Sequence, residues 1–418
     1  MKVCVVGLGY IGLPTACILA LNGNNVVGID INKSVVDMIN KGLVPVYENK
    51  LDSTLKILIS QKKIIAKSTA ESADAYIICV PTPLDDNFSC NIQHVYNAIE
   101  SILPFICPGN MIIIESTVPP GTIKNIIKPA IESRGFNIGE DIYLACCPER
   151  VLPGNIFNEI VYNDRIIGGV TDKCGKVVST FYKTFVKGNI FITDSKTAEM
   201  TKIAENIYRD VNIALANQLS ILCNELEINS LKVFNLANKH PRVNFLSPGP
   251  GVGGHCLPVD PYFVLKDKND SSSIIALSRK INENMPNYIA SLAKKIISYI
   301  PSPKVTIWGV AYKGNIDDIR NSPSIQIINK LKELNCDFQV YDPIVKNYCI
   351  ETKEESLKDS NLLIILTDHD EFKSLDPKLV LRKMRNPIIL DSKNILDSIS
   401  FMLNGIIVYN FGNFHLLN

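Results

Sequence analysis

The sequence predicts an α/β protein with two doubly wound domains joined by a long central helix. Short apolar runs alternate with amphipathic stretches in both halves of the chain, which is typical of parallel sheets covered by helices. A glycine fingerprint follows the first apolar run, and an uninterrupted helical pattern lies between the two halves. We place the three regions at residues 1–194, 195–300 and 301–418.

The first elements are a strand, a glycine loop, a helix and a second strand. Lys2–Val6 carries consecutive apolar residues, which predicts a buried parallel strand. The sequence GLGYIG follows at residues 7–12, and a helical run extends from about Leu13 to Leu21. A second strand, Asn25–Ile29, ends next to Asp30. This order of strand, G-x-G-x-x-G, helix, strand and acid is the dinucleotide fingerprint of a Rossmann-like domain.

The fingerprint predicts an NAD site. Its glycines give a tight turn, room for a pyrophosphate and close packing of helix on strand, while the helix N-terminus binds the phosphates. Asp30 would accept hydrogen bonds from the adenosine ribose and repel a 2′-phosphate, which favours NAD over NADP. FAD shares the fingerprint and remains an alternative. The predicted contacts in the loop are Gly7, Gly9, Tyr10, Ile11 and Gly12.

Composition narrows the class of protein. The chain has 418 residues and a net charge of +1. It therefore lacks the excess of basic residues that is typical of nucleic-acid-binding proteins. Its 12 cysteines include no C-x-x-C pair and no Cys/His cluster at zinc spacing, so we expect no metal and a reducing, cytoplasmic location. Val3–Leu21 is uncharged, but its glycines and Pro14 favour a strand–turn–helix over a membrane span.

Three further strands of the first half end in polar or turn-forming residues. The predicted strands are Ala75–Val80, Met111–Glu115 and Tyr143–Cys147, with another at Ile166–Gly168. Ligands of doubly wound sheets bind beyond the carboxyl ends of the strands. Each of these strand ends could contain turn-forming residues without a function, but three such ends at one edge of the sheet indicate a binding site. The residues concerned lie in the segments 80–83, 115–122 and 147–150.

A long helix is predicted from about Ser195 to Leu226, where apolar residues recur at helical spacing. It is long enough to bridge two domains or to form the seam of a dimer. Lys202 and Asn206 are four residues apart and therefore share one face. By themselves they fit a solvated surface better than a functional site.

The segment 248–260 is PGPGVGGHCLPVD, in which four glycines precede Cys256 and Asp260 follows it by four residues. Such a density of glycine lets backbone N–H groups approach a ligand closely. A thiol held there is a candidate covalent nucleophile. The segment alone is equally consistent with a hinge that contains an idle cysteine. Arg242 lies shortly before it and could clamp a phosphate or carboxylate.

A second α/β set begins with a strand at Lys304–Trp308 and a helix at Pro323–Asn335. Between them, Lys313 and Arg320 precede the helix, where anionic groups bind favourably. This half has no G-x-G-x-x-G sequence and need not bind a dinucleotide. Its further predicted strands are Asp337–Tyr341, Leu362–Leu366, Ile388–Asp391 and Ile406–Tyr409.

Together these segments resemble the UDP-glucose/GDP-mannose dehydrogenase family over nearly the whole chain. The shared motifs, in the family's order, are GLGYIG, the PTP turn, STVPPGT, PER, AEMTKIAEN, GPGVGGHCLPVD and YKGNIDDIRNSP. Within the family, the segments 148–154, 162–165 and 240–244 are most similar to UDP-N-acetylmannosamine dehydrogenases. Glucose-type enzymes have a second glutamate near the position of Pro153, and its absence argues against UDP-glucose.

The resemblance implies a four-electron oxidation of a sugar C6 alcohol to a carboxylate by two NAD. Cys256 would add to the aldehyde and form a thiohemiacetal and then a thioester, which water cleaves. Lys202 and Asn206 would stabilise oxyanionic oxygen, and Asp260 would orient or deprotonate water with help from Thr117 and Glu149. The implied regions are an NAD-binding domain, a central active-site and dimerisation region, and a UDP-sugar-binding domain.

The resemblance also implies binding residues and a homodimer in which Arg242 reaches into the partner subunit. Further cofactor contacts are Pro81, Thr82, Ser116, Thr117 and Arg320. Substrate contacts are Arg150, Val151, Leu152, Lys202, Asn206, Arg242, Asn244, Gly253 and Lys313.

Other functions remain open at this stage. UDP-N-acetylglucosamine or UDP-glucose could replace the mannosamine substrate, because one ring stereocentre changes few contacts. A β-hydroxyacid-type dehydrogenase would perform a single oxidation without a cysteine, and a non-catalytic protein would bind NAD without turnover. The number of NADH formed per sugar distinguishes these classes.

Overall fold

The computed structural model describes the chain except residues 47, 49, 152–153, 271, 334–336, 347–349 and 418. It divides into two compact units. The first comprises Met1–Glu205 and Val259–Lys266, and the second comprises Asn206–Pro258 and Asp267–Asn418. Each unit is built around a sheet covered by helices, so the predicted fold class is confirmed. No helix of the described residues combines the length and apolar character needed to cross a membrane.

Within the described residues, the first unit has a sheet of eight strands in the order β3-β2-β1-β4-β5-β6-β7-β8. Neighbouring strands are parallel except β6 and β7, which are antiparallel. Sequence analysis missed β3 and β8, the two edge strands. The strands are β1 (Lys2–Val6), β2 (Asn25–Ile29), β3 (Ile64–Lys67), β4 (Ala75–Ile78), β5 (Met111–Ile114), β6 (Tyr143–Cys146), β7 (Arg165–Gly169) and β8 (Ile190–Asp194).

Helices cover both faces of this sheet, which explains why its strands are apolar at consecutive positions. Val3 and Val5 of β1 point into one buried cluster, while Cys4 and Val6 point into the other. The helices of this part of the chain are α1 (Gly12–Leu21), α2 (Lys33–Asn40), α3 (Leu51–Ser60), α4 (Gln93–Ile102), α5 (Lys128–Glu132), α6 (Ile156–Tyr162) and α7 (Asp172–Tyr182).

Helix α8 (Ser195–Glu225) is the predicted long helix, and it ends one residue earlier than expected. Its first residues belong to the first unit, and from Asn206 onward it belongs to the second. The remaining helices lie in the second unit: α9 (Ser230–Ala237), α10 (Ile274–Ile297), α11 (Pro323–Glu333), α12 (Lys353–Ser356), α13 (Asp370–Lys373), α14 (Pro377–Lys383) and α15 (Ser398–Leu403).

The described strands of the second unit form a fully parallel sheet in the order β10-β9-β11-β12-β13. Val305 and Ile307 of β9 face one buried cluster, and Trp308 faces the other, where it stacks on Phe372 with ring centroids 4.9 Å apart. The strands are β9 (Lys304–Trp308), β10 (Asp337–Tyr341), β11 (Leu362–Ile365), β12 (Ile388–Asp391) and β13 (Ile407–Asn410).

The first loops of the two sheets share a backbone geometry despite their different sequences. Gly7 has φ +92° and donates from its N–H to the carbonyl of Ile29 over 2.8 Å. Gly309 has φ +93° and donates to the carbonyl of Tyr341 over 2.8 Å. Both turns therefore need the left-handed backbone that glycine adopts without strain. The second half is Rossmann-like although it lacks the fingerprint.

Candidate active site

The predicted residues of the first unit gather at the carboxyl edge of its sheet. Strands β1, β4, β5 and β6 are adjacent and parallel, so the loops that follow them leave from one edge. The hydroxyl of Ser116 donates to the carbonyl of Val80 over 2.7 Å, and that of Thr82 donates to the carbonyl of Thr117 over 2.7 Å. Side-chain hydrogen bonds thus tie the PTP turn and the STVPPGT loop to each other.

In the glycine loop after β1, a side chain at Gly7 or Gly12 would collide with neighbouring atoms, whereas one at Gly9 would not. A Cβ on Gly12 would lie 1.8 Å from the carbonyl oxygen of Gly7, so helix α1 approaches this turn as only glycine allows. A Cβ on Gly9 would meet nothing within 4 Å. Asp30 supports the loop because its Oδ2 accepts a 3.0 Å hydrogen bond from the N–H of Leu8.

Glu149 is buried and pairs with Arg165 of β7. The Glu149 Oε2 lies 2.8 Å from Nη1 of Arg165, and both side chains are buried. Its Oε1 accepts a 2.6 Å hydrogen bond from the N–H of Arg150. Both carboxylate oxygens are therefore held in place, and each keeps a further lone pair for a ligand or water.

A second carboxylate, Glu115, lies buried in the same region. Burial raises the pKa of Glu115 to about 7, and the nearby charge of Glu149 adds to the shift. Its Oε1 accepts a 2.5 Å hydrogen bond from the Tyr182 hydroxyl, and its Oε2 accepts one of 3.2 Å from the Cys79 thiol. Two carboxyl groups with one buried cation, Arg165, share this region, so protonating Glu115 relieves their mutual repulsion.

Arg150 is held by groups of the first unit itself. Its guanidinium makes two contacts with the Glu205 carboxylate, of 2.6 and 3.1 Å, and donates to the carbonyl of Asp164 over 3.0 Å. Because Glu205 and Lys202 lie within one turn of α8, this pairing anchors the part of the helix that presents Lys202. Leu152, another predicted substrate contact, lies outside the described residues.

Asp260 belongs to the first unit, in a short 3-10 helix at Asp260–Phe263. It is buried, with 3% of its surface exposed. Burial raises the pKa of Cys90 to about 12, and the charges of Asp260 and Asp85 add to the shift. Phe88, in the hairpin after the PTP turn, packs on Tyr262 with ring centroids 5.1 Å apart. The hairpin thus connects the predicted cofactor turn to Asp260.

The loop that carries Cys256 belongs to the second unit and is held tightly. The N–H of Gly254 donates to the carbonyl of Arg320 over 2.9 Å, and the Asn321 side chain donates to the carbonyl of Gly254 over 2.9 Å. A Cβ on Gly253 would lie 2.5 Å from the Tyr312 Cβ. Glycine is therefore required for this contact. Cys256, two residues after Gly254, is half-buried.

The loop before α11 also carries Lys313 and Arg320. Arg320 pairs with Asp318, with the shortest contact at 2.6 Å from Nη2. Burial opposes ionisation of Asp318, but the hydrogen bonds from Arg320 outweigh it and lower the pKa of that carboxyl. The N–H of Gly314 donates to Asp368 over 3.1 Å, which fixes the backbone beside Lys313.

The predicted residues divide between the two units. Asn206 is buried on α8 and belongs to the second unit with Cys256, Gly253, Lys313 and Arg320. Arg242 and Asn244 also belong to this unit and are exposed in the single chain. The first unit holds the glycine loop, Asp30, Pro81, Thr82, Ser116, Thr117, Glu149, Arg150, Val151, Lys202 and Asp260.

Comparison with known proteins decides the family. Models of the UDP-glucose/GDP-mannose dehydrogenase family match the NAD binding domain at residues 1–186, the central domain at 196–284 and the UDP binding domain at 306–398. The chain belongs to the UDP-glucose/GDP-mannose dehydrogenase family. It is therefore an NAD-dependent oxidoreductase.

Close relatives resemble this dehydrogenase over its full length. It is 45% identical to a UDP-N-acetyl-D-mannosamine dehydrogenase of Methanococcus vannielii, over 95% of this chain and 93% of the relative. A solved UDP-N-acetyl-mannosamine dehydrogenase from Staphylococcus aureus is 46% identical, covers 100% of both chains and superposes with a TM-score of 0.92. A further one from Pyrococcus horikoshii is 39% identical, with 99% of each chain covered and a TM-score of 0.91.

The glycine loop of the dehydrogenase fits the NAD that its family binds. The open space at Gly9 leaves room for a pyrophosphate against the start of α1, where the helix dipole favours negative charge. Asp30 Oδ1 and Oδ2 already accept from Asn32 and Leu8, which orients the carboxylate at the end of β2. When bound, NAD supplies the hydride acceptor.

Sequence reasoning gave no role to several buried polar groups of the dehydrogenase. Arg165 pairs with Glu149, and Tyr182 bonds to Glu115, whose pKa the Glu149 charge helps to raise. The sequence carried a signal for two of them. Arg165 and Glu115 each stand at one end of an apolar strand, where a buried charge without a partner would cost free energy. Tyr182 carried no signal, since tyrosine is common in the apolar face of a helix.

Two alanine substitutions in the glycine loop should have different effects. Gly12→Ala places a methyl group against the Gly7 carbonyl, so we expect a loss of at least about 2 kcal/mol in the free energy of unfolding. Gly9→Ala meets open space, so the melting temperature should be unchanged while NAD affinity falls about tenfold. Urea unfolding and NAD titration measure both. Equal NAD affinity in Gly9→Ala and the wild type would contradict the pyrophosphate assignment.

Stability should depend on pH through Glu115. The folded-state pKa of about 7 exceeds the ordinary 4.5, so the folded protein binds more protons between these values and its free energy of unfolding falls as pH rises. Glu115→Gln removes this loss, so its stability relative to the wild type should rise by no more than about 3 kcal/mol from pH 4.5 to pH 7. The control Glu100→Gln lies on the surface. A pH-independent difference for Glu115→Gln would contradict the raised pKa.

Proposed function

We propose that this dehydrogenase oxidises the C6 alcohol of UDP-N-acetyl-D-mannosamine to the carboxylate through a covalent intermediate on Cys256. The observation that carries the substrate is the full-length similarity, at 45–46% identity, to relatives that bear this activity in their names. The covalent step is supported by a half-buried cysteine in a glycine loop that Tyr312, Arg320 and Asn321 hold in place.

The reaction needs the thiol because an aldehyde is a poor hydride donor until a nucleophile adds to it. The alcohol first loses two electrons and becomes the aldehyde. The Cys256 sulfur then bonds to C6, and the carbonyl oxygen takes a proton to give a thiohemiacetal. Loss of two more electrons gives a thioester, whose C–S bond water cleaves to release the carboxylate and the thiol. Two NAD and one water are consumed for each sugar.

The other proposed catalytic groups assist at the oxygen atoms. Lys202 and Asn206 share one face of α8 and would stabilise the alkoxide and the tetrahedral oxyanions. Asp260 would orient or deprotonate the hydrolytic water. Glu149 and Thr117 would help position a water molecule, a role supported by the fixed carboxylate of Glu149 at the sheet edge.

The three regions would divide the binding work. Residues 1–194 would bind NAD, residues 195–300 would supply the active-site loop and the dimer seam, and residues 301–418 would bind the UDP-sugar. Lys313 precedes α11 on a loop fixed by Asp368, a favourable place for diphosphate oxygens. Arg320 already pairs with Asp318, so it would reach a ligand with the guanidinium face that this pair leaves exposed.

We also propose a cytoplasmic homodimer. Along α8, Tyr208, Leu215 and Leu222 recur every seven residues and are 61%, 45% and 43% exposed. A heptad stripe of this kind is typical of a helix that packs on another helix, and a second copy of α8 would cover it. Arg242 and Asn244, exposed in the single chain, would then act in the partner's site. None of the described cysteines forms a disulfide with another, which suits a reducing compartment.

A panel of nucleotide sugars tests the proposed substrate. Purified protein with NAD should turn over UDP-N-acetyl-D-mannosamine with two NADH per sugar, and with a kcat/KM at least about tenfold above those for UDP-N-acetylglucosamine and UDP-glucose. Preference for either of these two sugars would overturn the substrate. One NADH per sugar would favour a two-electron dehydrogenase, and NAD binding without turnover of any sugar would favour a non-catalytic protein.

Replacement of the thiol tests the covalent step. Cys256→Ser keeps the size of the side chain but supplies a poor nucleophile, so we expect uronate formation to fall by at least about a thousandfold. NAD affinity and the melting temperature should remain at wild-type values, since Cys256 lies outside the fingerprint loop at residues 7–12 and outside the core clusters of the described residues. Uronate production by Cys256→Ser at a wild-type rate would rule out the thioester.

A further inference from the structure

A chain of buried side chains connects helices α8 and α10 to the loop of Cys256. The Arg279 guanidinium on α10 donates to Asp210 Oδ1 over 2.6 Å, and the Asn282 amide donates to the same oxygen over 2.9 Å. Asn217 on α8 donates through its amide to Asn282 Oδ1 over 2.9 Å. The Asn217 Oδ1 accepts a 2.9 Å hydrogen bond from the N–H of Gly249, at the start of the glycine segment.

The direction of every bond in this chain is fixed from both ends. The N–H of Gly249 can only donate, so Asn217 must turn its oxygen toward it and its NH₂ group toward Asn282. Asp210 can only accept from Arg279, so Asn282 must turn its NH₂ group toward Asp210. The two amides agree with both requirements at once. One orientation of Asn217 and Asn282 therefore satisfies all of these bonds.

The side chains of this network are almost completely excluded from water. Asn217, Asp210, Asn282 and Arg279 are 0%, 1%, 1% and 2% exposed. An apolar set of similar shape would be at least as stable, because a buried ion pair seldom repays its desolvation. Stability alone therefore does not account for this network between the two helices. Its last hydrogen bond is made to the backbone of the loop that carries Cys256.

The loop is also confined next to the network. Gly251 has φ +132°, and a Cβ there would lie 3.3 Å from the Asn282 carbonyl oxygen and 3.2 Å from the Pro323 Cβ. Asn282 thus touches the loop through its backbone while its side chain orients Asn217. Glycine at position 251 therefore lets the loop pass close to α10, and the loop cannot move away from α8 without breaking the bond at Gly249.

Asn206 and Asn217 are eleven residues apart on α8, which is close to three helical turns. They therefore lie on nearly the same face of one rigid element, separated by roughly 16 Å along its axis. The bond from Gly249 to Asn217 consequently sets the position of the Cys256 loop on the helix that presents Asn206.

We infer that Asn217 is a positioning residue for Cys256. It holds the nucleophile loop in register with the oxyanion-stabilising face of α8, so that the thiol captures the aldehyde before the aldehyde can leave. This role rests on the proposed function. It predicts that disturbing Asn217 damages the second oxidation more than the first.

Asn217→Asp tests the inference with almost no change in shape. The aspartate can still accept from Gly249, but its other oxygen would face Asn282 Oδ1, so the directed chain is broken. We expect NADH per sugar to fall from two toward one, and the ratio of released aldehyde to uronate to rise about tenfold. The rate of Cys256 alkylation by iodoacetamide should change several-fold, while the first oxidation stays within about threefold of wild type.

Ser220→Ala is the matched control, because Ser220 is nearly as buried on α8 but its hydroxyl donates to the carbonyl of Ala216 on its own helix. It should keep two NADH per sugar. If Asn217→Asp fails to fold, Asn217→Ala is measured below its melting temperature with the same readouts. Two NADH per sugar, no free aldehyde and an unchanged alkylation rate in the Asn217 variant would overturn the inference. One NADH per sugar in the wild type would instead refute the proposed function.

Discussion

The parallel direction of the strands is the constraint on which the rest of the structure depends. In a parallel sheet every strand ends at the same edge, so loops far apart in sequence become neighbours there. This brings the glycine loop after β1, Thr82 after β4, Thr117 after β5 and Glu149 after β6 to one edge of the first sheet. The hydrogen bonds among these loops are therefore a consequence of topology, and the same topology recurs in the second sheet.

Buried charge is the second feature of the molecule, and it is concentrated near groups with a proposed role. Arg165 pairs with Glu149 beside Glu115, and Arg279 pairs with Asp210 below the Cys256 loop. Such pairs contribute little to net stability, since desolvation offsets most of their attraction. Their directional hydrogen bonds do what apolar packing cannot, because they fix the orientation of a carboxylate or a loop. The proposed reaction, which would bring a thiol, water and two oxidations to one carbon atom, needs such fixed groups.

Much of this arrangement could be predicted from the sequence, because it depends on local patterns. The fingerprint around Gly7 and Gly12, the interior strands and the extent of α8 follow from spacing and apolar runs. Edge strands β3 and β8 were missed since they bury fewer residues, and β8 exposes Phe191 and Ile192. The sequence also did not predict which face of α8 is buried. Leu215 and Leu222 are apolar but exposed, whereas Asn217 is buried. Asn217 is hydrogen-bonded to Asn282, 65 residues away in the sequence, and no local pattern predicts such a partner.

The central claim is that the sugar becomes attached to Cys256 during turnover. The most direct measurement is acid quenching within the first turnover with NAD and UDP-N-acetyl-D-mannosamine, followed by digestion and mass spectrometry of the peptide that contains Cys256. The account predicts the mass of a uronyl thioester on this cysteine, which appears before free uronate and disappears in Cys256→Ser. Uronate that forms without any adduct on Cys256, or with an adduct on another residue, would contradict it.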